Sequence, residues 1–160
     1  MDTRIEVLVG ELLRQHSLHL AVAESCTGGL IAHCLTNIPG SSDYFLGGVI
    51  AYAYEAKVRL LGVAWETLEQ FGAVSRETVL EMAIGVRRAL AADIGLSVSG
   101  IAGPGGGTPT KPVGLIWIGL STAEVDLAWS YQWSGDRLQV KEQSVEQALR
   151  LLADFLNSNG

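Results

Sequence analysis

Two glycine-containing polar loops hold most of the residues in this chain that could do chemistry. The first, Glu24-Ser25-Cys26-Thr27-Gly28-Gly29, follows a short apolar run and precedes the apolar-periodic LIAHCL. A serine at such a strand-to-helix junction is either a helix cap or a nucleophile. The second loop, Gly100 to Pro109, contains Gly103, Gly105, Gly106 and Gly107. It matches neither nucleotide fingerprint: GxGxxG needs a glycine where Thr108 stands, and the phosphate loop needs Lys-Ser or Lys-Thr where Gly106-Gly107 stand. What remains is bare backbone able to approach a ligand and aim N–H groups at an anion or a developing oxyanion. The alternative is a tight connection with no ligand.

No GxSxG elbow or SxxK accompanies Ser25, so an activating base must come from elsewhere in the chain. His16 and His19 bracket a turn and His33 lies within a helical pattern, so all three read as surface or packing residues, and their spacing does not suit a metal. The lysines are Lys57, Lys111 and Lys141. Lys141 falls in the polar first turns of the closing helix and is expected to be solvated. Lys57 follows a strand end in Tyr52-Ala53-Tyr54-Glu55-Ala56-Lys57, at the edge where a sheet binds ligands. It acts as a base only if burial lowers its pKa from about 10.4 toward 7, a differential cost of about 4 to 5 kcal/mol. The plainer reading is a lysine on an exposed helix face. Tyr52 and Tyr54 offer apolar walls and a hydroxyl relay. Cys26 is the rival nucleophile, since a helix N-terminus activates a thiolate. Arg137, in Gly135-Asp136-Arg137, is either a phosphate ligand or a solvated residue at the helix start.

The elements that must position these residues follow from periodicity. Ile5, Leu8, Val9, Leu12 and Leu13 share one helical face. Leu18 to Ala23 reads as a strand, followed by a helix ending near Asn37, before the turn at Pro39-Gly40. Leu46 to Tyr52 is a second strand, and EAKVRLLG a helix stopped by Gly62. Thr67 to Phe71 has room for a helical turn or two, and Ser75 caps a helix reaching about Ala92. Leu96 to Gly100 and Leu115 to Leu120 are buried strands. Val125, Leu127, Trp129, Tyr131 and Trp133 alternate with period two, giving a hairpin strand with one wet face. Trp129 and Trp133 are then core or a subunit interface. Val145, Ala148, Leu149, Leu152, Phe155 and Leu156 line the closing helix. The order predicts an α/β fold over residues 1–160: a three-layer α/β/α sandwich around a mixed, mostly parallel sheet of about five strands. In such sheets ligands gather outside the carboxyl ends of the strands, which selects both glycine loops.

Composition narrows the partners. The 160 residues are 48% hydrophobic and carry 11 Lys+Arg against 17 Asp+Glu, for a net charge of −6. At this length folding buries about 68 to 70% of the unfolded surface, so no disulfide or structural metal is needed. No basic stripe suits nucleic acid. No apolar stretch reaches the length of a membrane span, and the amphipathic, acid-bearing N-terminus lacks the form of a secretory signal. With Cys26 and Cys34 as the only cysteines, in no zinc-like spacing, the expectation is a cytoplasmic protein with two reduced thiols.

Three motifs carry a family resemblance. They are Ala23-Glu24-Ser25-Cys26-Thr27-Gly28-Gly29; Gly47-Gly48-Val49-Ile50-Ala51-Tyr52 with Glu55-Ala56-Lys57; and Gly100-Ile101-Ala102-Gly103-Pro104-Gly105-Gly106-Gly107-Thr108-Pro109 with Lys111-Pro112-Val113-Gly114. In this order, and over essentially the whole chain, the sequence resembles the CinA C-terminal domain family, the stand-alone nicotinamide-nucleotide amidohydrolases. The resemblance implies hydrolysis of the carboxamide of nicotinamide mononucleotide to nicotinate mononucleotide and ammonia, a step in pyridine nucleotide salvage. It implies a Ser-Lys mechanism with no metal and no cofactor, carried onto Ser25 as nucleophile and Lys57 as base, and a homodimer. Tyr52 is then the candidate proton relay. Thr108 with Gly103, Gly105 and Gly106 is one candidate phosphate site, and the helix start at Thr27, Gly28 and Gly29 is another. Tyr54 and Thr110 depart from the family pattern, where a small polar residue and an acid are usual. Two further readings stand beside the enzyme: a module that binds a nucleotide without turnover, and a regulatory protein of the kind suggested by the competence and DNA-damage labels of relatives.

Overall fold

The computed structural model describes residues 4–159. Its strands are β1 (Leu20–Glu24), β2 (Phe45–Ile50), β3 (Ile94–Gly100), β4 (Leu115–Ser121) and β5 (Asp126–Gln132), and its α-helices are α1 (Ile5–His16), α2 (Leu30–Thr36), α3 (Tyr54–Leu61), α4 (Trp65–Phe71), α5 (Arg76–Ala89) and α6 (Arg137–Ser158). The strands form one sheet in the order β2-β1-β3-β4-β5. β1 pairs in parallel with both β2 and β3, whereas β3–β4 and β4–β5 are antiparallel. Four of the five strands therefore point the same way. Helices α1, α2 and α6 cover one face, α5 lies on the other with α3 and α4 packed against it, and the result is the expected three-layer sandwich.

The two faces are built from different residues. Toward α6 the central strands present Leu20, Val22, Leu96, Val98, Ile116, Ile118 and Leu120, all buried in the larger core. Toward α5 they present Ala21, Ala23, Gly95, Ser97, Ser99 and Gly119. Small residues let α5 lie close: a Cβ on Gly95 would stand 2.1 Å from the Ala83 carbonyl oxygen, and one on Gly119 would stand 2.5 Å from that of Val79. Ser97 and Ser99 use the same proximity to donate to the carbonyls of Val79 at 2.6 Å and Ala73 at 2.8 Å. Each hydroxyl proton thereby has a partner.

Some sequence expectations shift. Leu8 is 41% exposed rather than core-facing, because α1 buries only the stripe of Ile5, Val9, Leu12 and Leu13. α5 ends at Ala89, since the chain turns through a left-handed Ala91 (φ 51°) before entering β3. Trp129 and Trp133 lie half-buried against the α6-side core, and Trp133 stacks on Tyr131 with ring centroids 5.1 Å apart. Among the described residues no helix is long and apolar enough to cross a membrane.

Candidate active site

Both loops selected from the sequence meet at the carboxyl ends of β1 and β3. β1 ends at Glu24, and the Ser25 amide continues the pairing by donating to the Val98 carbonyl at 3.0 Å. The chain must then reverse sharply, and Gly28 (φ 59°) and Gly29 (φ 101°) take the left-handed conformations this requires. Ser25 is left at the floor of the turn, 8% exposed.

The other side of the floor comes from α3. After β2 the Ala51 amide donates to the Glu24 carbonyl at 2.9 Å, which holds the start of the β2–α3 connection beside β1. Lys57 points back from the first turn of α3 and is 1% exposed. Its Nζ lies 2.9 Å from Ser25 Oγ, 2.8 Å from the Ala51 carbonyl oxygen and 3.0 Å from that of Tyr52. An ammonium would spend its three protons on these three acceptors. A neutral amine has two, matching the two carbonyls, and its lone pair is then left facing the serine hydroxyl. Burial pushes the Lys57 pKa down to about 8, with Cys26 pulling weakly the other way. The lysine is thus buried against Ser25 Oγ rather than standing on an exposed helix face.

Cys26 is placed differently. Burial, with Glu24 adding to it, pushes its thiol up to about 12, so the rival nucleophile stays protonated at neutral pH. The histidines stand apart from the cavity, with His19 paired to Asp93 at 3.3 Å. Among the described residues, no group of three or more His, Cys, Asp and Glu side chains is arranged to hold a metal ion.

A cavity of about 260 Å³ opens above the dyad, walled by Ala73, Val74 and Ser99 and by the chain from Gly100 to Gly106. Arg137, the first residue of α6, spans its mouth. The guanidinium donates to the Gly103 carbonyl at 2.7 Å and to the Tyr52 hydroxyl at 3.0 Å. Tyr52 therefore touches Lys57 through its backbone carbonyl, while its hydroxyl accepts from Arg137.

The structure thus brings together Ser25, Lys57, Tyr52, Gly103, Gly105, Gly106 and Arg137, and sets Thr27, Gly28, Gly29 and Thr108 outside the cavity lining. Thr108 is exposed and closes a local turn, its hydroxyl accepting from the Lys111 amide at 3.0 Å. The start of α2 is not an open anion site. The buried carboxylate of Glu24 already accepts from Ile31 N at 2.9 Å and Ala32 N at 3.1 Å, and Leu30 N donates to the Thr27 carbonyl. Thr27 is fully buried, and its hydroxyl has no hydrogen-bond partner among the described residues. Lys141, expected to be solvated, is half-buried, with its Nζ 3.7 Å from the position a Gly28 Cβ would take.

Comparison with known proteins agrees with this arrangement. The family model described as the CinA C-terminal domain matches residues 2–156. The chain belongs to the CinA C-terminal domain family. A protein of Moorella thermoacetica named for competence-damage induction is 52% identical over 152 residues, covering 94% of this chain and 36% of its own length. This CinA-domain chain spans little more than a third of the curated relatives it matches. Two crystal structures superpose throughout: a CinA superfamily protein from Klebsiella pneumoniae (TM-score 0.94, 32% identity, 99% of both chains) and the competence/damage-inducible protein CihA from Agrobacterium tumefaciens (TM-score 0.90, 40% identity, 98% of both).

Sequence reasoning about this CinA domain missed the two carbonyls that orient Lys57 and the buried carboxylate behind Ser25. One local signal pointed to the latter. α2 begins at a glycine, which offers no capping side chain, so its first amides needed an acceptor from elsewhere in the chain.

Proposed function

We propose that this CinA-domain chain hydrolyses the carboxamide of nicotinamide mononucleotide to nicotinate mononucleotide and ammonia through an acyl-enzyme on Ser25. The observation that carries the reading is the buried 2.9 Å contact between Lys57 Nζ and Ser25 Oγ, with both carbonyl partners of the lysine in place. Ser25 Oγ attacks the carboxamide carbon as its proton passes to neutral Lys57. The tetrahedral oxyanion is met by backbone N–H groups of the glycine-rich loop. Lys57 then protonates the leaving nitrogen, the C–N bond breaks and ammonia departs. Water attacks the resulting ester, gives a proton to Lys57, and the acid leaves as Ser25 is restored. Arg137 at the mouth is the candidate partner for the nucleotide phosphate, since a guanidinium matches phosphate geometry.

Purified protein is expected to release ammonia from nicotinamide mononucleotide, and Ser25→Ala and Lys57→Met are expected to abolish release while retaining binding. Near-normal turnover by Ser25→Ala would eliminate the covalent mechanism. Binding without release by the wild type would favour a nucleotide-sensing module instead. The proposed assembly is a homodimer, and light scattering that gives the 17.0 kDa monomer mass would refute it.

A further inference from the structure

Glu24 is 1% exposed, lies directly before the nucleophile, and has no cationic partner among the hydrogen bonds and ion pairs of the described residues. Its two carboxylate oxygens reach seven and eight residues ahead to the Ile31 and Ala32 amides. They supply the cap that Gly29 cannot, and an anion there is further favoured by the partial positive charge at a helix start. The Ser25–Gly29 turn is thereby closed between β1 and α2. The backbone carbonyl of the same residue accepts from Ala51 N, and the Ala51 carbonyl in turn accepts from Lys57 Nζ. One residue thus anchors both members of the dyad, the serine through its side chain and the lysine through its backbone.

We propose that Glu24 is a positioning residue of the Ser25–Lys57 pair, its carboxylate fixing the turn that holds Ser25 Oγ within proton-transfer distance of Lys57. The inference rests on the Ser-Lys reading above. It is structural in its means and catalytic in its consequence, because a misplacement of about 1 Å at a reacting group can cost about 100-fold in rate. The lowered pKa of Lys57 comes from burial, opposed by Cys26, so a purely positioning role for Glu24 predicts that it stays in place when Glu24 is changed. The two effects are therefore separable by pH.

The test uses a fluorophosphonate probe, which needs no natural substrate. Its phosphorus bonds to Ser25 Oγ as fluoride leaves and Lys57 takes the proton, and intact mass follows the labelling. Glu24→Gln keeps the size but places an NH2 group against a backbone N–H, and Glu24→Asp keeps the charge but shortens the reach. Glu81→Gln is the matched control, since Glu81 makes the same kind of contact to Ala64 N (2.9 Å) and Thr67 Oγ1 (2.6 Å) outside the cavity. Rates are taken per folded molecule, with folding measured by circular dichroism.

The expected result is labelling slowed about 10- to 100-fold in Glu24→Gln and by less in Glu24→Asp, with the pH midpoint unmoved near 8 and Glu81→Gln at the wild-type rate. Should Glu24→Gln not fold, Glu24→Asp alone decides by the same comparison. Wild-type labelling rates in the folded Glu24 variants would overturn the proposal, as would equal slowing in Glu81→Gln. A wild type labelled at Ser25 but releasing no ammonia would end the amidase reading and leave the positioning role standing. A wild type that Ser25→Ala matches in labelling would end both.

Discussion

Lys57 carries an ionisable nitrogen into a buried place, and the desolvation that weakens its hold on a proton frees its lone pair at a lower pH than an exposed lysine's. Ammonia release is expected to rise with pH through about 8 and level off above it, because the proposed mechanism uses the neutral amine. Stability carries the same signature. Between about pH 8 and 10.5 the unfolded chain holds a proton at Lys57 that the folded chain has released, so this residue makes folding more favourable as pH rises. Cys26 acts in the opposite sense above about pH 9, since the folded thiol keeps its proton to about 12. A comparison with Lys57→Met isolates the lysine: from pH 8 to 10 the wild type should gain about 2 kcal/mol more than the variant, read by urea unfolding at each pH. An identical pH response in the two proteins would mean that Lys57 titrates as an ordinary lysine. By residue type and spacing alone it was one of three lysines, and the family resemblance singled it out, because its burial depends on the connection between β2 and α3 being held beside β1.

At the scale of elements, the strands and helices were legible because their apolar spacing is regular, and the exceptions have local causes. The Gly95-Leu96-Ser97-Val98-Ser99 segment of β3 reads simply as a short strand. In the structure its alternation separates two surfaces, with Leu96 and Val98 in the α6-side core and Gly95, Ser97 and Ser99 under α5. The small side was not interpretable beforehand, since nothing in the sequence states how closely a helix will approach. Gly95→Ala would place a Cβ 2.1 Å from the backbone oxygen of Ala83, which cannot move without shifting α5. A loss of about 1 to 3 kcal/mol is expected, the usual cost of overpacking, measured as a lower urea midpoint with unchanged slope. Unchanged stability would show that the α5 contact is looser than this. Glu24 was legible only in part: the glycine before α2 signals a missing cap, but a glutamate at a strand end looks solvated until the helix whose amides donate to it is in place.

At the scale of the whole molecule, the site follows from topology. From β1 the chain crosses to β2 on one side, and from β2 it returns past β1 to β3 on the other, so the order reverses between β1 and β3. Right-handed crossovers then put α2 on one face and α3 to α5 on the other, and a crevice opens between the carboxyl ends of the two strands. Ser25 and the Gly100–Gly106 segment sit at that crevice. The same end gathers cations on a chain of net charge −6: Arg137 at the mouth and Lys141 beside Gly28. On the amidase reading proposed above, an acidic protein has to offset its own repulsion where a phosphorylated ligand enters, and local positive charge at a recessed site does so. Raising ionic strength from about 20 to 500 mM should therefore raise KM several-fold and leave kcat within about twofold, because screening acts on the approaching anion and not on the buried dyad. Arg137→Gln should raise KM at low salt and flatten the dependence. A KM insensitive to salt in the wild type would assign the phosphate to the backbone N–H groups of the glycine-rich loop, whose neutral dipoles are little affected by ions in solution.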